Sequence, residues 1–169
     1  MPRATLSPPA DFTSFEPSEV EQSIGARFES IARQHPERPA LGGDGPVLTY
    51  NELNRISNRI AHCIANQGLP AGGARIGVFL EQGTLALAAI LGVLKSGHAY
   101  VPIDPAFPAE RNGHIVTDSE TSLVLTNRSN RLVAQQLAAG RAPVLDLENL
   151  PTSLPESNPE IQVSPDAPD

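Results

Sequence analysis

The sequence predicts an α/β fold: a partial doubly wound parallel sheet with helices on both faces. Apolar runs of strand length alternate with helix-period stretches from Arg75 to Leu147, and the connections between them are short, as expected where crossover helices cover parallel strands. Composition agrees, since 40% of the residues are hydrophobic and 18% charged, enough apolar material for a packed core. At 169 residues the chain has room for one ordinary domain.

Residues 1–17 are punctuated by proline and read as an extended leader. Ser18 opens a helix with Glu21 as reciprocal capping partner, and Val20, Ile24, Phe28 and Ile31 follow at helical spacing up to His35-Pro36. Ala40-Leu41 and Val47-Leu48 flank a glycine-rich turn and suggest a short hairpin. Thr49 and Glu52 form a second capping box, ahead of a stripe of Leu53, Ile56, Ile60 and Ile64 that runs to a stop at Gly68.

Ile76 to Leu80 is an uninterrupted apolar strand. Thr84 to Leu94 carries no charge, predicting a helix buried all round and stopped at Gly97. Ala99 to Val101 makes the next strand, closed by Pro102 and Pro105, and Pro108 stands as the first residue of a helix reaching about Asp118. A strand from Ser122 to Thr126, a helix from Ser129 to Ala139 and a strand from Pro143 to Leu147 complete the alternation. The domain therefore spans 18–150, and the proline-interrupted stretch 151–169 reads as a surface connection.

The net charge of −7, with basic residues scattered, argues against nucleic acid as a partner. No apolar run is long enough to cross a bilayer and no signal segment opens the chain, so the expected location is cytoplasmic, with no membrane partner. Cys63 stands within a helical pattern and reads as a small buried hydrophobe. His35, His62, His98 and His114 are too dispersed for a metal site. Ser57 and Ser119 lack the setting of a nucleophile elbow, and no phosphate-cradling glycine loop is present. Glu81 and Asp104 each follow an apolar strand, where doubly wound folds place ligand-binding residues. An acidic residue there is also a routine cap or turn former.

Longer motifs carry more information. Leu48-Thr49-Tyr50-Asn51-Glu52-Leu53-Asn54 resembles the first core motif of nonribosomal peptide synthetase adenylation domains. The stretch from Leu94 through Gly97, Tyr100 and Val101 to Asp104-Pro105, continued by Ala106 to Arg111, Ile115 and Asp118-Ser119, resembles the second. Ser96 and His98 are small departures. The similarity runs from about Phe28 to Thr126 and covers most of the region between Ser18 and Leu150. The stretch Tyr100 to Pro105 fits members that activate amino acids better than the related acyl- or aryl-CoA ligases.

The resemblance implies an incomplete N-terminal part of the large subdomain of an adenylate-forming enzyme. Such enzymes join a carboxylic acid to the α-phosphate of ATP with magnesium, then pass the acyl group to a phosphopantetheine thiol. In that family the phosphate loop follows a segment like Ser164-Pro165-Asp166, and the acid pocket and second subdomain come later. No functional residue of the family maps onto this sequence, so the expected catalytic, cofactor-binding and metal-binding residues are none. The expected partners are the remainder of the adenylation domain and, in the parent, carrier and condensation domains. The alternatives are a piece of an acyl- or aryl-acid ligase, a non-catalytic remnant or interaction module, and an unrelated doubly wound regulatory domain. Alone, the chain is expected to expose apolar surface along the helix from Thr84 and to associate.

Overall fold

The computed structural model describes residues 21–42, 47–70 and 73–161. The element order is α1 (Ile24–Gln34), β1 (Pro39–Leu41), β2 (Leu48–Thr49), α2 (Tyr50–Ala65), β3 (Arg75–Phe79), α3 (Thr84–Lys95), β4 (Ala99–Ile103), α4 (Ala109–Asp118), β5 (Leu123–Thr126), α5 (Arg131–Ala138) and β6 (Val144–Asp146), followed by a single 3-10 turn at Leu147–Asn149. β1 and β2 pair antiparallel as the expected hairpin. The other strands form one parallel sheet in the order β4-β3-β5-β6.

Alternation along the strands divides the core into two layers. Ile76, Val78, Leu80, Leu123 and Leu125 face α2 and α3, where Leu53, Ile60, Ile64, Ala89 and Val93 complete one cluster. Phe79, Ile103 and Val124 face the other way, onto Val116 of α4 and Ala134 and Leu137 of α5. Helices therefore cover both faces, as the strand–helix alternation predicts.

Several local signals act as read. The Thr49 hydroxyl accepts from the Glu52 N–H at 3.2 Å, and the Glu52 carboxylate accepts from the Thr49 N–H at 2.8 Å. α3 ends in a full Schellman turn, with Gly97 N–H donating to the Leu94 carbonyl and His98 N–H to that of Val93. Gly97 sits at φ +76°, which a side chain would oppose. α2 and α3 cross closely at Gly92, where an added Cβ would lie 2.6 Å from Ile60 Cγ2 and 3.1 Å from the Ser57 carbonyl oxygen.

Other expectations are corrected. Ser18 lies outside the described residues, and α1 starts at Ile24 with Ser23 as its cap, the Ser23 Oγ accepting from Ala26 N–H at 3.2 Å. α2 ends at Ala65, earlier than Gly68, because Asn66 and Gln67 already fold back onto the carbonyls of the last turn. β4 runs through Pro102 to Ile103; it is an edge strand, and an edge tolerates the missing N–H. Pro108 is the N-cap of α4 with extended ψ, one position ahead of the helix proper. α3 is not buried all round: Leu87 is 44% exposed and Leu85, Ala86, Ile90 and Leu91 are half-buried. The apolar composition of that face is therefore not accounted for by packing within the described residues.

Two predictions follow from these contacts. Gly92→Ala should lower stability by about 1–3 kcal/mol, the usual cost of overpacking, as read from denaturant unfolding. The Thr49 N–H, and after it the Thr49 hydroxyl, hold the Glu52 carboxyl below its ordinary 4.5. A depressed folded pKa contributes stability above the unfolded value and loses it as pH falls through the folded one. The loss of melting temperature in Glu52→Gln should therefore be full above about pH 4.5 and fade at lower pH, in parallel thermal melts.

Candidate functional site

The order β4-β3-β5-β6 places a topological switch point between β3 and β5, since the chain turns outward to β4 from one side and to β6 from the other. Glu81 leaves β3 there. Its two carboxylate oxygens accept from Asn130 Nδ2 at 2.8 Å and Asn127 Nδ2 at 3.0 Å. The Asn130 bond is the leading reason its carboxyl is held below the usual range. Asn127 Oδ1 in turn accepts from Asn130 N–H and Ser129 Oγ. The cluster ties the exit of β3 to the loop before α5, beneath which Thr126 Oγ1 donates to the Phe79 carbonyl.

Asp104 does similar work one strand away. Its carboxylate accepts from Ala106 N–H at 2.8 Å, an Asx turn, and its carbonyl accepts from Asn112 Nδ2 at 2.9 Å. Both acidic candidates are brought to the carboxyl edge of the sheet, and both spend their oxygens on the loops that leave it. Asn127, Asn130 and Asn112, which sequence reading passed over, supply the donors.

The remaining candidates are dispersed. Ser57 Oγ donates to the Asn54 carbonyl, one turn back within α2. Ser119 Oγ bonds Thr121 Oγ1 at the end of α4. Cys63 is buried, which pushes its thiol upward and away from the reactive thiolate. Burial pushes the His98 imidazole down, His62 faces the Ser157 carbonyl, and His114 lies on α4. Among the described residues no group of three His, Cys, Asp or Glu side chains could hold a metal, and no helix is long and apolar enough to cross a membrane.

The most strongly built polar cluster was not anticipated. Lys95, the one lysine in the chain, has a side chain only 1% exposed. Its ammonium donates to Asn54 Oδ1 at 2.5 Å and Asn58 Oδ1 at 2.7 Å, and pairs with Glu29 Oε1 at 3.2 Å. The Phe28 ring lies 5.4 Å away, within cation–π range. An ammonium has three donors, and all three are engaged. Burial pushes its pKa down, while Glu29 opposes that shift. Such an amine is saturated, so it serves as a structural junction of α1, α2 and α3 and not as an anion site. Removing it would strand Glu29, the buried Asn58 amide oxygen and the half-buried one of Asn54. Lys95→Met should cost about 3 kcal/mol, at the low end for a buried ion pair because Glu29 keeps partial access to water, by denaturant unfolding.

Comparison with known proteins adds what the geometry alone does not. A family model described as AMP-binding enzyme matches residues 28–168. The chain is 39% identical over 130 residues to tyrocidine synthase 1 of Brevibacillus parabrevis, covering 76% of this chain and 12% of the relative. It is 38% identical over 138 residues to N-(5-amino-5-carboxypentanoyl)-L-cysteinyl-D-valine synthase of Amycolatopsis lactamdurans, covering 81% and 4%. Among solved structures, the AMPPNP-bound form of the nonribosomal peptide synthetase FmoA3 superposes with a TM-score of 0.79 at 30% identity, over 94% of this chain and 16% of that one. The N-terminal domain of FACL13 from Mycobacterium tuberculosis, at a TM-score of 0.74 but 21% identity over 83% of this chain and 38% of its own, shares the fold. The chain thus spans a small part of each relative's length.

Proposed function

The chain belongs to the AMP-binding enzyme family, and on that premise we propose that it is the N-terminal part of an adenylation domain whose parent activates an amino acid with ATP for nonribosomal peptide assembly, and that it is inactive alone. One observation carries the reading. The two stretches that resemble core motifs of peptide synthetases are spent on architecture: Thr49 and Glu52 cap α2, Lys95 joins three helices, Gly97 ends α3, and Asp104 closes the turn after β4. They support a neighbouring site without supplying reacting groups.

ATP and magnesium, which the family implies, do not fit the residues described. The Glu81 carboxylate is engaged by two amides, that of Asp104 closes its own turn, and the Lys95 ammonium has no donor to spare. No chemical step is therefore assigned to side chains of this chain. The amino-acid reading over the acyl- or aryl-acid one rests on the relatives at 38–39% identity, which are peptide-assembling by name, whereas the likeness to FACL13 is one of fold. Carrier and condensation domains would be partners of the parent.

Amino-acid-dependent ATP–pyrophosphate exchange tests the proposal. The chain alone should give no exchange above background with any of the proteinogenic amino acids, and clear turnover would contradict its inactivity. The longer protein proposed as its parent should exchange with amino acids in preference to fatty or aryl acids; the reverse preference would overturn the substrate class.

A further inference from the structure

Residues 151–161 contain no helix or strand, yet they lie along one stripe of α2, held there by polar bonds. Asn54, Arg55, Asn58, Arg59 and His62 recur at the spacing of one helix face. Arg59 Nη2 donates to the Pro151 carbonyl, and Arg55 pairs with the Glu156 carboxylate at 2.6 Å. His62 Nε2 donates to the Ser157 carbonyl at 2.9 Å. At the centre, Asn158 Oδ1 accepts from both Asn54 Nδ2 and Asn58 Nδ2 at 2.9 Å, while Asn58 Nδ2 also donates to the Glu156 carbonyl at 2.7 Å.

We infer that residues 151–161 form a latch on α2 whose closed state is set by Lys95, acting through the orientation of the Asn54 and Asn58 amides. An asparagine amide has an accepting end and a donating end, and its network decides which way round it sits. Lys95 can only donate, so it claims the oxygen of both amides. Both NH2 groups must then point outward, toward the strap. There a single acceptor, Asn158 Oδ1, meets both, with the Glu156 carbonyl taking a third hydrogen bond, from Asn58. The buried cation thus dictates that the strap present acceptors at 156 and 158.

The latch is separable from the core. Its bonds are polar, Glu156 and Arg55 are each about half exposed, and most residues from 151 to 161 are exposed, so opening costs little apolar burial. Segments bound in this way open locally without global unfolding. The inference concerns the path of the chain across α2, and it is independent of which acid the parent activates.

Limited digestion of the full chain with a glutamate-specific protease, read site by site by mass spectrometry, tests it. Asn158→Ala removes the acceptor and should speed cleavage after Glu156 by about tenfold, the mark of a local opening, with cleavage after Glu52 and Glu81 unchanged. Asn158→Asp keeps the acceptor and should stay within about twofold of the parent chain. Equal acceleration in both variants, no acceleration in Asn158→Ala, or acceleration at all sites together would each overturn the latch. Lys95→Met, if it retains the parent's helical circular dichroism, should also loosen Glu156 more than the other sites. A folded Lys95→Met chain with Glu156 still protected would overturn the role of Lys95.

Discussion

A charged ammonium buried among α1, α2 and α3 has to be satisfied completely, and the arrangement of those elements follows from how Lys95 meets that demand. Taking a lysine out of water is costly unless every donor is used and its charge is balanced. Glu29 comes from α1, Asn54 and Asn58 from α2, and the lysine from the last turn of α3. Three helices that could slide over an apolar layer in many registers are thereby fixed in one. Gly92 permits the close crossing of α2 and α3 that brings the amides within reach, and Gly97 ends α3 directly behind the lysine. Networks of this kind contribute specificity of packing beyond their net stability.

The carboxyl edge of the sheet is governed by a different economy of polar groups. Glu81, Asp104 and Thr126 all stand where a doubly wound fold places its ligands, yet Glu81 and Asp104 are bonded to loops that leave the sheet and Thr126 to the end of the neighbouring strand at Phe79. These three side chains are already bonded within the fold. This is what a supporting layer requires, and it suits a segment that spans 4–12% of the peptide synthetases it resembles.

Much of the fold was legible because its signals are local. The Thr49–Glu52 box, the continuous apolar strands and the stop at Gly97 act through neighbours in sequence, and each forms as read. Pro102 was misread as a strand end because whether a strand tolerates proline depends on its place in the sheet, which the local sequence does not reveal. Leu87 stands exposed because charge-free composition marks a helix to be covered without saying which neighbour covers each face. Lys95 drew no structural reading for the same reason. Its partners lie 37, 41 and 66 residues away in sequence, and Asn54 and Asn58 look like solvent-facing polar residues of an amphipathic helix. A lone lysine closing an apolar helix, opposite two asparagines one turn apart, is the pattern that could have pointed to the junction. The candidates Glu81 and Asp104 were placed correctly at strand exits, but the asparagines that occupy them come from other segments.

The account depends on the Lys95 amine being inaccessible in the folded chain, and amine labelling measures that directly, because the only other primary amine is at the N-terminus. Folded and urea-unfolded chains would be treated with an amine-reactive reagent and the modification at Lys95 quantified by peptide mass spectrometry. Lys95 should remain unmodified in the folded chain under conditions that label it fully after unfolding. Labelling of folded chain at the unfolded rate would show a solvated lysine and contradict the junction on which the packing of α1, α2 and α3 is argued to rest.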